Sequence, residues 1–240
     1  VTQTNKPDTP IGTSVVGGHR GQIKTRDRVR DLAEVYTHER EVTAMLGLIP
    51  EMFASGARGT DVKFLEPACG SGNFLEEILR RKLRLIRFSS VRSAAQYEHR
   101  ILRAVASIYG IDICAENVTE ARYRLFAEVR SHYYNDANTL EPTDGFVSAL
   151  RAILNTNILQ ADFLADAAAT EVIDYKPVRG GFFKRVWSML DDSAAAETLP
   201  DLFNQVPVPK RDAVSVHYVD LATRPDPTRL EPQASESRSA

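Results

Sequence analysis

Phe64-Leu65-Glu66-Pro67-Ala68-Cys69-Gly70-Ser71-Gly72-Asn73-Phe74-Leu75 is the stretch on which the fold turns. Apolar residues from Val62 to Leu65 run into the turn formers Pro67, Gly70, Ser71 and Gly72. Beyond them Leu75, Ile78, Leu79, Leu83 and Ile86 recur on one face of a helix. The order is strand, turn, helix. Two glycines separated by one residue permit positive φ and let a ligand approach the backbone with no Cβ in the way. The emerging helix offers free N–H groups to a polar or anionic group, and Glu66 at the strand end adds a preference for positive charge. A tight turn that binds nothing has the same glycine spacing, so G-x-G by itself leaves both readings open.

The flanking sequence repeats the alternation. Upstream, Val42, Met45, Leu46 and Ile49 predict an amphipathic helix that Pro50 interrupts. Downstream, Ile101, Leu102, Val105 and Ile108 predict a helix before a second strand over 109–113. Val118, Ala121, Leu125 and Val129 form a further helical stripe, and Ile158-Leu159 begins a third strand that ends at Asp162. Strand–helix–strand order over 240 residues predicts an α/β fold, a doubly wound parallel sheet with helices on both faces. Residues 213–221 offer one more strand, and the sheet is expected to stop after the fourth or fifth strand. Residues 1–24 read as a disordered leader, 25–222 as the folded domain, and 223–240, rich in Pro, Ser and charge, as a disordered tail.

Composition excludes several classes. Apolar residues make up 43% and charged residues 26%, ordinary for a soluble globular chain. No apolar window is long enough to cross a membrane, and the N-terminus lacks a secretory signature, which makes a cytoplasmic location the expectation. Cys69 and Cys114 can build neither a disulfide framework nor a self-sufficient zinc site. Thirty basic residues against thirty-two acidic ones, a net charge of −2, exclude a globally basic nucleic-acid coat but not a local patch. The run Arg80, Arg81, Lys82, Arg84, Arg87, Arg92 could track phosphates. Glu76 and Glu77 stand four residues before Arg80 and Arg81, so a solvated face of i,i+4 pairs accounts for it better.

The string E-P-A-C-G-S-G-N-F-L, residues 66–75, closely resembles the cofactor motif of the adenine-N6 DNA methyltransferases of restriction–modification systems, where the usual form begins with Asp. Three flanking segments resemble the same family. Glu34-Val35-Tyr36-Thr37-His38 is similar to its G-E-x-Y/F-T-P signature, with His38 in place of the proline. Ser107 to Ile113 followed by Asn117 to Leu125 is similar to its second strand and the continuation N-V-x-x-A/C-R-x-R-L. Asn157 to Leu164 is similar to its N-I-x-x-G/A-D-x-L. The resemblance implies a Rossmann-like fold that holds S-adenosyl-L-methionine. Tyr36 and Thr37 would close over the cofactor, Thr37 bonding the methionine carboxylate. Glu66, Pro67, Ala68, Gly70, Gly72, Asn73 and Phe74 would form the glycine turn. Asp112 would take the ribose hydroxyls, Ile113 and Phe163 would flank the adenine, and Asp162 would accept from its exocyclic amine. No metal is implied.

One element of the family is missing. Its N/D/S-P-P-Y/F/W tetrapeptide, which receives the amine of the flipped base, occurs nowhere in the sequence. The corresponding region offers Asp174 and Tyr175 beside a single proline, Pro177. The catalytic residues are therefore left unassigned. The expectation is a methyltransferase domain or subunit acting on DNA, similar to part of the modification subunits of type I and related systems. It would need a partner chain that carries N-P-P-Y and target recognition. A non-catalytic cofactor-binding subunit or sensor, or a methyltransferase for RNA or protein, remains the alternative.

Overall fold

A computed structural model of the chain describes residues 37–54, 57–138, 140–190 and 210–224. Most of the expected leader and tail lie outside these residues, and the described chain continues through Arg224. From Thr37 onward it forms one unit. His38 caps helix α1 (Glu39–Leu46) by accepting from the Arg40 N–H. A 3-10 turn at Pro50–Phe53 and the short helix α2 (Ala57–Asp61) lead into strand β1 (Phe64–Glu66). Helices α3 (Asn73–Arg84) and α4 (Ala94–Ala106) connect it to β2 (Ile108–Asp112). Helices α5 (Ala115–Ala137) and α6 (Asp144–Asn157) connect that to β3 (Ile158–Gln160), and α7 (Phe163–Asp166) follows. Side-chain oxygens of Ser93, Thr143 and Asp162 cap α4, α6 and α7 by taking N–H groups that the first helical turn leaves unpaired.

The three strands are parallel in the order β1-β2-β3, with Glu66 level with Gly110 and Asp112 level with Gln160. β2 is central. Ile108 through Ile111 are buried, and the strand touches all four connecting helices. Gly110 has no room for a side chain: a Cβ would lie 2.5 Å from Leu75 Cδ1. That close approach seats α3 on the sheet.

The α/β class and the parallel sheet are as expected; among the described residues the sheet has fewer strands than expected. The next strand in the chain does not join it but pairs with its own successor in a second sheet. β4 (Glu171–Val178) and β5 (Phe182–Met189) form an antiparallel hairpin, to which β6 (Val216–His217) adds. The segment 213–221 contributes only those two residues of strand before a 3-10 turn at Tyr218–Asp220. Alternation along β4 and β5 puts Ile173, Tyr175, Phe183 and Trp187 inside, against α4 and α6. The parallel sheet therefore has three strands among the described residues.

Two buried polar hubs join these layers. Glu98 of α4, with no exposure, accepts from the Tyr133 and Tyr218 hydroxyls and from both the N–H and the hydroxyl of Thr143. It thereby links α4 to α5, to the start of α6 and to the chain beyond β6. Lys82, expected on a solvated basic face, is also fully buried. Its Nζ donates to the Gly59, Thr60 and Val62 carbonyls and to Ser107 Oγ at 2.6–3.3 Å. A long apolar stem and an ammonium inside an oxygen cage explain the position. The rest of the basic run behaves as expected, with Arg80 and Arg81 paired to Glu76 and Glu77.

Burial pulls the Lys82 amine from 10.5 down to about 7. The fold thus disfavours the charged form. The cost is full below pH 7 and recedes as pH rises toward the unfolded value, so this group makes stability increase with pH above 7. Lys82→Met should cost about 2–4 kcal/mol, since it strands buried carbonyls. It should also flatten the stability profile between pH 7 and about 9.5, below the range of tyrosine ionisation. Urea titrations across that window check this; an unchanged slope would assign the pH dependence to another group.

Candidate functional site at the carboxyl ends of the strands

The glycine turn between β1 and α3 is held by β2. The Cys69 N–H donates to the Ile111 carbonyl at 2.8 Å, and the Gly70 N–H donates to Asp112 Oδ2 at 2.8 Å. Both glycines have left-handed backbone, Gly70 at φ +53 and Gly72 at φ +87. Their surroundings differ. A Cβ on Gly72 would press on Ala121 of α5 at 3.0 Å, whereas a Cβ on Gly70 would meet nothing within 4 Å. Gly72 is small for packing, and Gly70 borders open space.

Asp112 organises the turn from the second strand. Its Oδ1 accepts from the Cys114 N–H at 2.9 Å and from Asn117 Nδ2 at 3.2 Å, while Oδ2 takes Gly70. A carboxylate offers about four lone-pair positions, so one remains, on Oδ2. Arg124 of α5 braces the other side. It donates to the Ser71 carbonyl at 2.9 Å and to Asn73 Oδ1 at 2.6 Å, and it pairs with Glu76. Asn73 in turn donates to the Thr37 carbonyl at 3.3 Å, which brings the segment before α1 onto the turn.

The third strand ends alongside. The Ala161 N–H donates to the Asp112 carbonyl, and Gln160 Nε2 to that of Ile113. Asp162 uses Oδ1 to cap α7 through the Leu164 and Ala165 N–H groups, and Oδ2 has no partner among the described residues. Ile113 is 57% exposed, and Phe163 is half-buried. Pro67 and Ala68 are exposed on the turn. Of the expected site residues, Thr37, Glu66, Gly70, Asn73, Asp112, Ile113, Asp162 and Phe163 thus lie at the carboxyl ends of the three strands. Phe74 instead packs against the core behind the turn. Tyr36 lies outside the described residues.

The electrostatics are those of a carboxylate-lined crevice. Burial raises the Glu66 carboxyl above its ordinary value, partly offset by the Ala68 N–H. Burial, and then the Asp112 and Glu66 charges, push the Cys69 thiol up to about 12, so it is an inert packing group. No basic side chain pairs with Glu66, Asp112 or Asp162 among the described residues. The Gly70 N–H, which could have met a phosphate, is already spent on Asp112. Such a crevice suits a ligand that brings positive charge and hydrogen-bond donors. Among the described residues no group of His, Cys, Asp or Glu is arranged to hold a metal ion.

The scaffold of this site is richer than the expected list. Arg122 donates to the Ile158 carbonyl, Asn157 to the Ala106 and Ile108 carbonyls, and Gly110 admits α3. Asn117, Arg122 and Arg124 fall within the N-V-x-x-A-R-x-R-L string, so the signal was present without the roles. The segment Asp174-Tyr175, considered for the missing tetrapeptide, lies elsewhere. Asp174 is bridged to Lys63, which precedes β1, and the buried Tyr175 hydroxyl meets Thr156 Oγ1 at 2.8 Å. A cleft of about 570 Å³ lies along α4 and the β4–β5 turn, away from the glycine turn.

No family model, no curated protein and no solved structure matches this chain.

The thiols give a direct check on the turn. At pH 8 an aromatic disulfide reagent should modify Cys114 and leave Cys69 untouched until the chain unfolds, because Cys69 is buried and its thiolate is suppressed. Equal rates at both sites would mean that the turn is not closed on Asp112 as described.

Proposed function

We propose that the domain binds S-adenosyl-L-methionine and belongs to an adenine-N6 DNA methyltransferase of the restriction–modification type. The observation that carries this reading is the meeting of Gly70 and Asp112, a left-handed glycine facing open space and hydrogen-bonded to the acid at the end of the neighbouring strand. In doubly wound folds the ligand crevice lies outside the carboxyl ends of the strands, at the first strand, where the winding reverses. β1 is the edge strand here among the described residues. A further strand beside it would complete the doubly wound, Rossmann-like sheet.

The chemistry of the crevice fits this cofactor better than a phosphate-bearing one. The remaining lone pair of Asp112 accepts a ribose hydroxyl, and the unpartnered Oδ2 of Asp162 accepts from the adenine amine. Ile113 and Phe163 offer apolar surface to the ring. Glu66 faces the positive charge of the ligand, and the Thr37 hydroxyl, its carbonyl held by Asn73, serves the methionine carboxylate. When bound, the cofactor supplies an activated methyl group for displacement by a neutral amine. The chain's own part is positioning and exclusion of water.

Titration calorimetry should show one site for S-adenosyl-L-methionine. Asp112→Ala should weaken it by roughly tenfold or more, about 1.4 kcal/mol. Gly70→Val should nearly abolish it, since its side chain enters the open space and strains a left-handed residue by roughly 1–2 kcal/mol. No heat at millimolar cofactor would sink the reading.

The position of Asp174 and Tyr175, engaged with Lys63 and Thr156 away from the glycine turn, supports a split enzyme over a self-sufficient one. Methyl transfer to mixed-sequence DNA should be absent with this chain alone and appear with a partner chain that carries N-P-P-Y. Robust methylation by the isolated chain would refute the split arrangement. Cofactor binding without methylation under either condition would favour the sensor or binding-subunit alternative.

A further inference from the structure

Across the β4–β5 hairpin Lys176 stands directly opposite Lys184. Like charges facing each other in a sheet are destabilising unless something neutralises them. The pair lies on the outer face, since Tyr175 and Phe183 take the inner one. Arg179 opens the turn and precedes Gly180 and Gly181, at φ +88 and +89. The turn faces α4, where Arg100 and Arg103 line the cleft of about 570 Å³ together with Pro177 to Gly181. Past Arg103 and Pro177 this cleft adjoins a second hollow of about 280 Å³, bordered by Lys63 and Lys176.

The strip holds six cations, Lys63, Arg100, Arg103, Lys176, Arg179 and Lys184, against two carboxylates, Asp61 and Asp174. Both carboxylates are taken, Asp61 by Arg103 and Asp174 by Lys63. Among the described residues no carboxylate pairs with the other four cations, and Arg100 donates only to Ser90 Oγ. His99 in the cleft adds no charge at neutral pH, because burial lowers it to about 4. This is a local positive surplus on a chain whose net charge is −2.

A small anion would need converging, buried donors. The four free cations are exposed or half-buried, Lys176, Arg179 and Lys184 spread over the hairpin and Arg100 on α4 across the cleft from its turn. That arrangement suits a polymer whose charges are also spaced along it. Phe182, 37% exposed and opposite Val178, sets apolar surface among the cations, as a base would require.

We propose that this strip is a track for the phosphodiester backbone of a nucleic acid, separate from the crevice at the carboxyl ends of the strands. Lys63 and Ser107 immediately precede β1 and β2, so the strip lies toward the amino ends of these strands; it goes beyond the proposed function and can fail without touching cofactor binding.

Fluorescence anisotropy of the full chain with labelled duplex and single-stranded DNA, from roughly 50 to 200 mM salt, tests the track. Affinity should fall with salt, with a slope of about −0.9 per duplex phosphate engaged. The variant Arg100→Ala/Lys176→Ala/Arg179→Ala/Lys184→Ala should bind at least about tenfold more weakly at low salt, with a shallower slope. It should melt no lower than the parent, since the lysine repulsion is gone, and should bind S-adenosyl-L-methionine as the parent does. A control that removes as many cations elsewhere, Arg84→Ala/Arg92→Ala/Arg130→Ala/Arg151→Ala, should lose less than about threefold. No binding at low salt, or an equal loss in the control, overturns the track. Preference for the single strand would assign stacking to Phe182, and indifference would assign phosphate contacts alone; either upholds it.

Discussion

The hydrogen bond from the Gly70 N–H to the Asp112 carboxylate sets the geometry on which the rest of the site depends. It joins the turn after the first strand to the end of the second. Asp112 can make it only because Cys114 and Asn117 fix its other oxygen. The turn in turn needs left-handed residues at Gly70 and Gly72, close packing of Gly72 on Ala121, and Arg124 clamped across Ser71 and Asn73. Helix α5 thus supplies the braces for a turn that belongs to α3. Charge follows from the same bond. An N–H that might have bound a phosphate is occupied, and among the described residues the carboxylates at the strand ends have no cationic partners.

Much of this was legible in the sequence, and what was legible shares a physical cause. Period-3.6 stripes located α1, α3, α4 and α5 because each buries one face. Apolar runs ending in an acid located β1 and β2; the third run located β3, but the strand stops at Gln160 and Asp162 caps α7 instead of ending it. The glycine turn announced itself because left-handed backbone needs glycine. Helix α6 went unread, although Thr143 caps it and Phe146, Leu150, Ile153 and Leu154 fill its buried face. Lys82 was misread because a lysine in a row of arginines looks solvated, and only the fold reveals the carbonyls around its amine.

The hairpin was hidden for a different reason. Val172 to Val178 alternates as a strand should, but alternation does not say which strand it will pair with. Gly180-Gly181 is the local sign of a hairpin. Once the chain reverses there, the nearest partner for β4 is β5, eight residues of antiparallel register that a parallel crossover could not supply without a connecting helix. Burial of Tyr175, Phe183 and Trp187 against α4 and α6 then fixes the hairpin in place and leaves Lys176 and Lys184 outward.

The result is a chain of nearly balanced charge that is unbalanced locally in two opposite senses. Among the described residues, carboxylates without a cationic partner gather at the carboxyl ends of β1 to β3, and cations without a carboxylate partner along the hairpin and α4. Hydrogen bonds from Asp112 and Asp162 hold the turn and cap α7, but the charges themselves weigh against the fold: Lys176 stands opposite Lys184, and half-buried Glu66 has no cationic partner among the described residues. Charges that work against folding are kept where a ligand of opposite sign can relieve them. A cationic small molecule at the glycine turn and a polyanion on the hairpin are the two ligands that would do so. Because different residues hold them, the two kinds of relief are separable by mutation.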